Sequence, residues 1–362
     1  MSETLVIVGD APQHAEASAA SAGLNVVTLG PSEVLKRINA TPADATVLLT
    51  GEMENRPELV AAIASVRKLR GSGAEAIRKV REPELLPSLP PFKGLRFCKT
   101  LPRVGPFRRI VRRITGRGGF GRLYLIKPAA SYGGRGIRPW SRRSKVGADE
   151  YVQEAVTGTP MSAVFRSDGW SCVLMGVTEQ LVGDEKLGAD PGFASWYGYV
   201  GSIGPVVLSK ADRAALSHLG VVLTQRCDVR GVFGVDLIRD RKGRWWPVEV
   251  NPRWPASAMV LERAGGGALL SERGGRAVLP SEAVMQHGLA WSNGEAVLVN
   301  GGDRRACYAA LVEAYTALRP RRVTIEMPKL EAPEPPSEPE VIRVQGEVLD
   351  APRNPKRLPP PG

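Results

Sequence analysis

Two apolar segments decide the fold of this chain: Gly231-Val-Phe-Gly-Val-Asp-Leu-Ile238 and Trp245-Trp-Pro-Val-Glu-Val-Asn-Pro-Arg-Trp254. Asp236 lies inside the first segment, and Glu249 lies thirteen residues later inside the second, followed by Asn251. The short basic stretch between them predicts a turn, so the two segments form a hairpin of strands. Because side chains alternate along a strand, we expect Glu249 and Asn251 on the same face.

The hairpin is predicted to gather oxygen donors. Two carboxylates and an amide oxygen are the donors that a hard cation such as Mg²⁺ (or Mn²⁺) prefers, and a cation with a triphosphate removes the cost of burying two acids. Arg253 follows them and can hold a negatively charged intermediate, which makes it the candidate catalytic residue. An alternative stays open, in which the acids form salt bridges with Arg239 or Arg241. The candidate metal ligands are Asp236, Glu249 and Asn251.

A glycine-rich loop follows an apolar strand in Leu125-Ile-Lys-Pro-Ala-Ala-Ser-Tyr-Gly-Gly-Arg-Gly-Ile137. Glycines let the backbone approach a ligand and point N–H groups at phosphate oxygens, and Lys127 adds a positive charge for the same anion. Because a strand-like segment comes next, we predict a flexible hairpin flap and not a P-loop. An ordinary glycine hairpin is the alternative. The candidate phosphate-binding residues here are Lys127, Gly133, Gly134 and Gly136.

A third segment, Glu150-Tyr-Val-Gln-Glu-Ala-Val-Thr-Gly158, alternates apolar and polar residues and then breaks at a glycine. This pattern predicts a strand that leads into a linker. The backbone of such a linker can offer C=O and N–H groups to the edge of a planar base. A plain strand end explains the same pattern.

Composition narrows the class of protein. The chain has 362 residues, 43% of them hydrophobic and 24% charged, as expected for a soluble globular protein of two or three domains. No apolar run approaches the ~20 residues of a membrane helix, and the first apolar stretch lacks a basic segment before it, so we expect neither membrane insertion nor secretion. The four cysteines form no CxxC pair and the three histidines no HExxH motif, which favours a reduced, cytoplasmic protein without zinc.

The formal net charge is +12, and seven arginines lie between Arg103 and Arg122. Such a cluster can attract nucleic acid or a polyanionic small molecule such as a nucleotide. Only two aromatic residues interrupt it, so the stacking platforms of single-strand binders are absent. A solvated basic helix face is the alternative interpretation.

The pattern along the chain predicts an α/β unit followed by an α+β region. The first 90 residues or so alternate strand and helix, with helices expected over 11–22 and 57–69, which is typical of a small doubly wound domain. The proline-rich stretch 83–102 is predicted to connect domains, and strands predominate after residue 123. Residues 330–362 hold nine of the thirty prolines and are expected to be extended or disordered.

Taken together, the segments resemble the ATP-grasp superfamily over residues 95–290. The resemblance rests on Lys127 with Ser131–Gly136, the stretch 153–156, the Gly-Val-Asp strand and Glu-Val-Asn-Pro-Arg, in that order. It implies a pre-grasp domain at 1–92, a two-subdomain ATP-grasp fold at 93–300, an α/β element at 301–329 and a tail at 330–362.

The resemblance also implies roles for the site residues. ATP would lie between the two subdomains, with Lys99, Lys127 and the Ser131 loop on its phosphates and the backbone around Gln153, Glu154 and Val156 on adenine. The hairpin donors would hold Mg²⁺, and Arg253 would contact an acyl phosphate. One departure is Asp236, where many members have Glu, and its shorter reach implies monodentate or water-mediated binding.

The function implied is an ATP-dependent carboxylate–amine ligase that acts on a small-molecule carboxylate and amine. The stretch Asn-Pro-Arg-Trp-Pro-Ala-Ser is similar to members near the tyramine–glutamate ligases of methanofuran synthesis, which suggests a C1-carrier cofactor pathway. Nucleic acid is not expected as a partner, and a homodimer is compatible with the sequence. Two alternatives remain: a carboligase that activates bicarbonate, and a basic nucleotide- or nucleic-acid-binding protein without ligase activity.

Overall fold

The computed structural model describes most of the chain up to residue 318. The ranges are 2–101, 123–141, 143–189, 197–265, 267–271, 287–292 and 295–318. The arginine cluster predicted from the sequence and the proline-rich tail lie outside these residues. None of the helices in the described ranges has the length and apolar character needed to cross a membrane.

The N-terminal part is a four-stranded parallel sheet with strand order β2-β1-β3-β4. Its strands are almost continuously apolar, as expected where helices cover both faces of a sheet. The strands are β1 (Thr4–Val8), β2 (Asn25–Leu29), β3 (Thr46–Leu49) and β4 (Lys68–Leu69). The helices are α1 (Gln13–Ser21), α2 (Val34–Arg37), α3 (Pro57–Ala64) and α4 (Ala74–Val80).

The helix expected over 57–69 is shorter than predicted. It ends at Ala64, and Lys68–Leu69 pairs with β3 in parallel as the fourth strand. The apolar periodicity that suggested one long helix therefore spans a helix and the edge strand after it. Tertiary pairing with β3 decides the structure of the last two residues.

A seven-stranded antiparallel sheet forms the centre of the molecule, with strand order β13-β12-β9-β10-β11-β14-β15. Its strands are β9 (Thr159–Ser167), β10 (Cys172–Val182), β11 (Tyr199–Gly204), β12 (Gly231–Arg239), β13 (Trp245–Asn251), β14 (His287–Ser292) and β15 (Glu295–Asn300). The helices that accompany it are α5 (Lys210–Cys227), α6 (Ala258–Gly265) and α7 (Arg304–Leu318). The mixture of a parallel α/β unit and an antiparallel α+β region is the fold class expected from the sequence.

A smaller four-stranded sheet carries the glycine-rich loop. Its strand order is β5-β8-β6-β7, and the loop of residues 129–137 joins β6 to β7. The strands are β5 (Thr100–Leu101), β6 (Tyr124–Pro128), β7 (Arg138–Pro139) and β8 (Glu150–Glu154).

The main core lies between the central sheet and α5. Phe165 on β9 stacks on Phe233 on β12, with ring centroids 5.1 Å apart, and the apolar face of α5 covers both. The connector 83–102 contributes to this core through four buried leucines: Leu85, Leu86, Leu89 and Leu95. The proline-rich connector is therefore packed against the sheet along part of its length.

The segment after β13 packs against the N-terminal α/β part. The backbone N–H of Trp254 donates to the carbonyl of Leu49 at 3.1 Å, and its indole N–H donates to the carbonyl of His14 at 2.7 Å. Trp254 is fully buried. These contacts place the residues that follow Asn251 at the carboxyl end of β3. In doubly wound sheets, ligands bind at the carboxyl ends of the strands.

We predict that Gly220→Ala destabilises the protein. A β-carbon at this position of α5 would lie 2.6 Å from Cδ1 of Phe165 and 2.8 Å from Sγ of Cys172. Overpacking of this kind costs about 1–3 kcal/mol, which exceeds the gain of about 1 kcal/mol that alanine brings to a helix. The urea midpoint should fall. A matched control is Ala214→Gly on the exposed side of α5. This variant should lose only the stability that corresponds to the difference in helix propensity between alanine and glycine. A Gly220→Ala protein at least as stable as wild type would contradict this packing.

Candidate active site

The hairpin of β12 and β13 brings the three predicted donors together. Asp236 lies opposite Glu249 in the antiparallel register, and Asn251 lies opposite Gly234, so all three share one face of the sheet. Asn251 is buried and hydrogen-bonds to Asp236. A β-carbon at Gly234 would lie 3.7 Å from Cβ of Asn251, an ordinary contact, and 3.1 Å from Cβ of Pro255, which is tight.

Each carboxylate is oriented by a donor from elsewhere in the fold. The amide nitrogen of Gln180 on β10 donates to Oδ1 of Asp236 at 2.9 Å. Arg81, which follows α4, forms an ion pair with Oε1 of Glu249. Sequence reasoning did not find either residue. The salt-bridge alternative considered from the sequence named other partners, but Arg239 pairs with Asp212 at 3.2 Å.

The electrostatics of the two acids differ. Burial and the charge of Glu249 raise the pKa of Asp236 to about 6. Burial also acts to raise the pKa of Glu249, but the charges of Arg81 and Lys127 outweigh it and hold that pKa below its usual value. Glu249 is therefore the permanent anion of the pair, and Asp236 carries most of the cost of placing two carboxylates together.

This donor set suits Mg²⁺ or Mn²⁺. It offers two carboxylates and one amide oxygen, all hard ligands, and leaves further positions for water or phosphate oxygens. A cation would also offset the two effects that raise the pKa of Asp236, which are its burial and then the repulsion by Glu249. In the described ranges, no group of three or more His, Cys, Asp or Glu residues is placed to hold a metal. A site here depends on the amide of Asn251 as its third donor.

Lys127 lies beside these donors. Its side chain is buried at the end of β6, with Nζ 3.3 Å from the carbonyl of Val248 and 3.4 Å from Oε1 of Gln153. Burial acts to lower the pKa of Lys127, but Tyr151 and Glu249 outweigh it and raise the pKa above its usual value. Lys127 therefore stays charged and can bind an anion next to Glu249.

The glycine loop is held against the chain before β11 by backbone contacts. Gly133, Gly134 and Gly136 all have positive φ, which side-chain-bearing residues rarely adopt. A β-carbon at Gly134 would lie 1.8 Å from the carbonyl oxygen of Tyr197, and the carbonyl of Gly133 accepts from the N–H of Tyr199 at 3.2 Å. The loop therefore requires glycine where it meets the chain before β11.

The loop also contacts the N-terminal sheet. The carbonyl of Ser131 accepts from Nη2 of Arg81 at 2.9 Å. Burial and a hydrogen bond to Asp10, which follows β1, raise the pKa of Tyr132 to about 12. The first residues of the loop are thus held by side chains from the N-terminal α/β part.

The segment predicted to contact adenine forms an edge of the site. Gln153 pairs with Thr100 on β5, the N–H of Glu154 donates to the carbonyl of Lys99 at 2.8 Å, and Oε2 of Glu154 accepts from the N–H of Lys99 at 3.1 Å. The side chain of Lys99 is exposed, in contrast to that of Lys127. Val156 follows the last bonded pair of β8.

Arg253 lies at the junction of the hairpin with the N-terminal sheet. Its Nη2 donates to Oε1 of Glu54 at 3.2 Å, and Glu54 is fully buried. Burial raises the pKa of Glu54 although Arg253 and Arg81 act to lower it. Within the described part of the chain, Nε of Arg253 is buried without a hydrogen-bond partner. Sequence reasoning also missed Glu54, which lies 199 residues from its partner.

The residues that follow β10 contact α7 and the chain just before β11. Oδ2 of Asp184 accepts from the hydroxyl of Tyr308 on α7 at 2.7 Å. Tyr199 is partly buried, and its hydroxyl shares a hydrogen bond of 3.0 Å with Oγ of Ser202. Residues 190–196 lie outside the described residues.

We predict that Asp236→Asn stabilises the metal-free protein at pH 8. Because the pKa of Asp236 in the fold lies above its unfolded value, the protonated acid stabilises the fold below about pH 4, and this contribution is lost as pH rises through 6. The loss corresponds to about 3 kcal/mol at most. The thermal midpoint of the variant should exceed that of wild type at pH 8, and the difference should shrink towards pH 4. Asp228→Asn, at an exposed ion pair, is the control. A less stable Asp236→Asn protein at pH 8 would contradict the assigned repulsion.

Comparison with known proteins gives one family match. Residues 113–257 match the model of the ATP-grasp domain family. No curated protein sequence matches this chain.

Several solved structures share the fold. An ATP-grasp superfamily protein from Archaeoglobus fulgidus superposes with a TM-score of 0.56 at 15% identity, over 83% of this chain and 99% of that one. Biotin carboxylase from Campylobacter jejuni superposes with a TM-score of 0.59 at 13% identity, over 80% of this chain and 75% of that one. L-amino acid ligase from Bacillus licheniformis superposes with a TM-score of 0.53 at 15% identity, over 80% of this chain and 79% of that one. At these identities the likeness concerns the fold, and the family match identifies residues 113–257 as an ATP-grasp domain.

Proposed function

We propose that this protein is an ATP-dependent ligase that joins a carboxylate to an amine and releases ADP and phosphate. The observation that carries the proposal is the convergence of Asp236, Glu249 and Asn251 on one face of the hairpin, beside the buried Lys127. The ATP-grasp domain match and the fold shared with an L-amino acid ligase support it. We assign residues 1–92 to the pre-grasp domain and 93–300 to the ATP-grasp domain.

The positions of the site residues suggest a binding role for each. Lys127 and the backbone of the loop from Ser131 to Gly136 would hold the phosphates, because they combine a fixed positive charge with N–H groups close to the donors. The chain around Gln153, Glu154 and Val156 would contact adenine. The exposed side chain of Lys99 would contact the phosphates, as the resemblance implies. Asp236, Glu249 and Asn251 would hold Mg²⁺, which supplies charge neutralisation for the phosphoryl oxygens.

The proposed chemistry has two steps. A carboxylate oxygen of the substrate attacks the γ-phosphorus of ATP, the bond to the β–γ bridging oxygen breaks, and ADP leaves with that oxygen. An amine nitrogen then attacks the acyl carbon of the acyl phosphate, phosphate leaves, and the amine gives up a proton. Arg253, which pairs with the fully buried Glu54, would contact the negatively charged acyl phosphate. The protein contributes mainly positioning and electrostatic stabilisation.

A carboligase that activates bicarbonate is the second candidate. The fold shared with biotin carboxylase favours it. The two candidates use the same nucleotide site and differ in the acid that attacks ATP. Bicarbonate and organic acids therefore belong in the same assay.

We predict that Glu249→Gln reduces ADP formation at least about a thousand-fold, because it removes the permanent anion of the donor set. Folding should be little changed, since the amide oxygen of glutamine can still accept from Arg81. Steady-state ADP release and the circular dichroism spectrum measure the two effects. Glu75→Gln, at an exposed ion pair on α4, is the control. Undiminished turnover in Glu249→Gln would remove Glu249 from the proposed metal site.

We predict that hydroxylamine intercepts the activated acid. The protein, ATP and Mg²⁺ are incubated with hydroxylamine and, one at a time, the proteinogenic amino acids, short dicarboxylic acids and bicarbonate. With a productive organic acid, a hydroxamate should form in step with ADP, because hydroxylamine replaces the amine. ADP formed with bicarbonate alone would favour the carboligase, and ADP formed without hydroxamate for any organic acid would contradict the acyl-phosphate route.

A further inference from the structure

Arg81 lies at the end of α4, in the N-terminal α/β part, and reaches into the site. Its backbone N–H closes the helix by donating to the carbonyl of Ile77 at 3.1 Å. Its side chain is only 12% exposed. No motif of the sequence analysis includes this residue, and its partner on β13 is 168 residues away.

One guanidinium joins two separate parts of the site. Nη1 donates to Oε1 of Glu249. Nη2 lies 3.0 Å from the carbonyl oxygen of Ala129 and 2.9 Å from that of Ser131, the residues with which the glycine loop begins. Oδ1 of Asn55 also accepts from Nη2, at 3.0 Å.

The chemistry of these contacts requires arginine. The planar guanidinium presents several donors in a fixed arrangement, so it can hold a carboxylate and two carbonyls at once. A lysine ammonium could keep the charge opposite Glu249, but it is a compact donor on a flexible chain and could not span the carboxylate and the loop together. Either arginine or lysine could form the ion pair with Glu249. Only the several N–H donors of a guanidinium can also reach the carbonyls of the loop.

We propose that Arg81 is a positioning residue that fixes the glycine loop relative to Glu249. It holds the start of the phosphate-contacting backbone and the permanent anion of the donor set as one unit, ready for the nucleotide. This inference rests on the proposed nucleotide-binding role of the loop and of Glu249. It gives the N-terminal α/β part a direct role in the nucleotide site.

A purely structural ion pair is the competing explanation, and the two differ in what Arg81→Lys changes. If Arg81 only neutralises Glu249, lysine should preserve the site, or any loss should spread over the whole fold. If Arg81 positions the loop, lysine should loosen residues 129–137 selectively. It should also weaken nucleotide binding while most of the protein remains unchanged.

The experiment uses the full chain with Arg81→Lys and Asn55→Ala, the second of which weakens the orientation of Arg81 and keeps its charge. Hydrogen exchange of residues 129–137 is compared with that of β9 and β10, without nucleotide. Calorimetry then measures the Kd of the magnesium complex of a non-hydrolysable ATP analogue. Arg78→Lys, at an exposed ion pair on α4, is the matched control.

We expect Arg81→Lys to speed exchange in the loop by about ten-fold or more and to raise Kd by a similar factor, with β9 and β10 unchanged. Asn55→Ala should shift both quantities in the same direction by less, and Arg78→Lys should change neither. Unchanged loop exchange in Arg81→Lys, or exchange that rises equally in the strands, would overturn the inference. If wild type fails to bind the analogue, the proposed function is wrong. The hydrogen exchange of residues 129–137 still tests whether Arg81 holds the loop.

Discussion

The approach of two carboxylates across one strand pair is the constraint on which the rest of the site depends. Asp236 and Glu249 are opposite each other in the register of β12 and β13, so their charges cannot be separated without breaking the hairpin. Burial adds to the repulsion. The surrounding residues offset it: Arg81 and Lys127 supply positive charge to Glu249, and Gln180 and Asn251 donate hydrogen bonds to Asp236. The remaining imbalance suits a divalent cation.

The N-terminal α/β part takes a direct share in this arrangement. Its buried Glu54 pairs with Arg253, and its Arg81 pairs with Glu249, so each of these two residues is held by a side chain from the N-terminal α/β part. Trp254 anchors the same segment to the carboxyl end of β3. The proposed catalytic groups thus lie at an interface between secondary-structure layers, where a small displacement of either layer would change their orientation.

Local patterns could be predicted from the sequence, and distant partners could not. The hairpin, the glycine loop and the alternation of strands and helices at the N terminus depend on residues close in the chain, and these features are present in the structure. The partners of Glu249 and Arg253 lie 168 and 199 residues away, and the donor to Asp236 lies 56 residues away. Those contacts depend on how three sheets pack, which no single segment encodes. The helix expected over 57–69 was too long for a related reason, because pairing with β3 decides its end.

The most direct test of the account is the position of the cation. A crystal of the full chain grown with Mn²⁺ and a non-hydrolysable ATP analogue would show the metal by its anomalous scattering. We expect a peak within coordination distance of oxygens from Asp236, Glu249 and Asn251, with the phosphates between them and Lys127. A peak held elsewhere, or side chains of these three residues turned away from the phosphates, would contradict it.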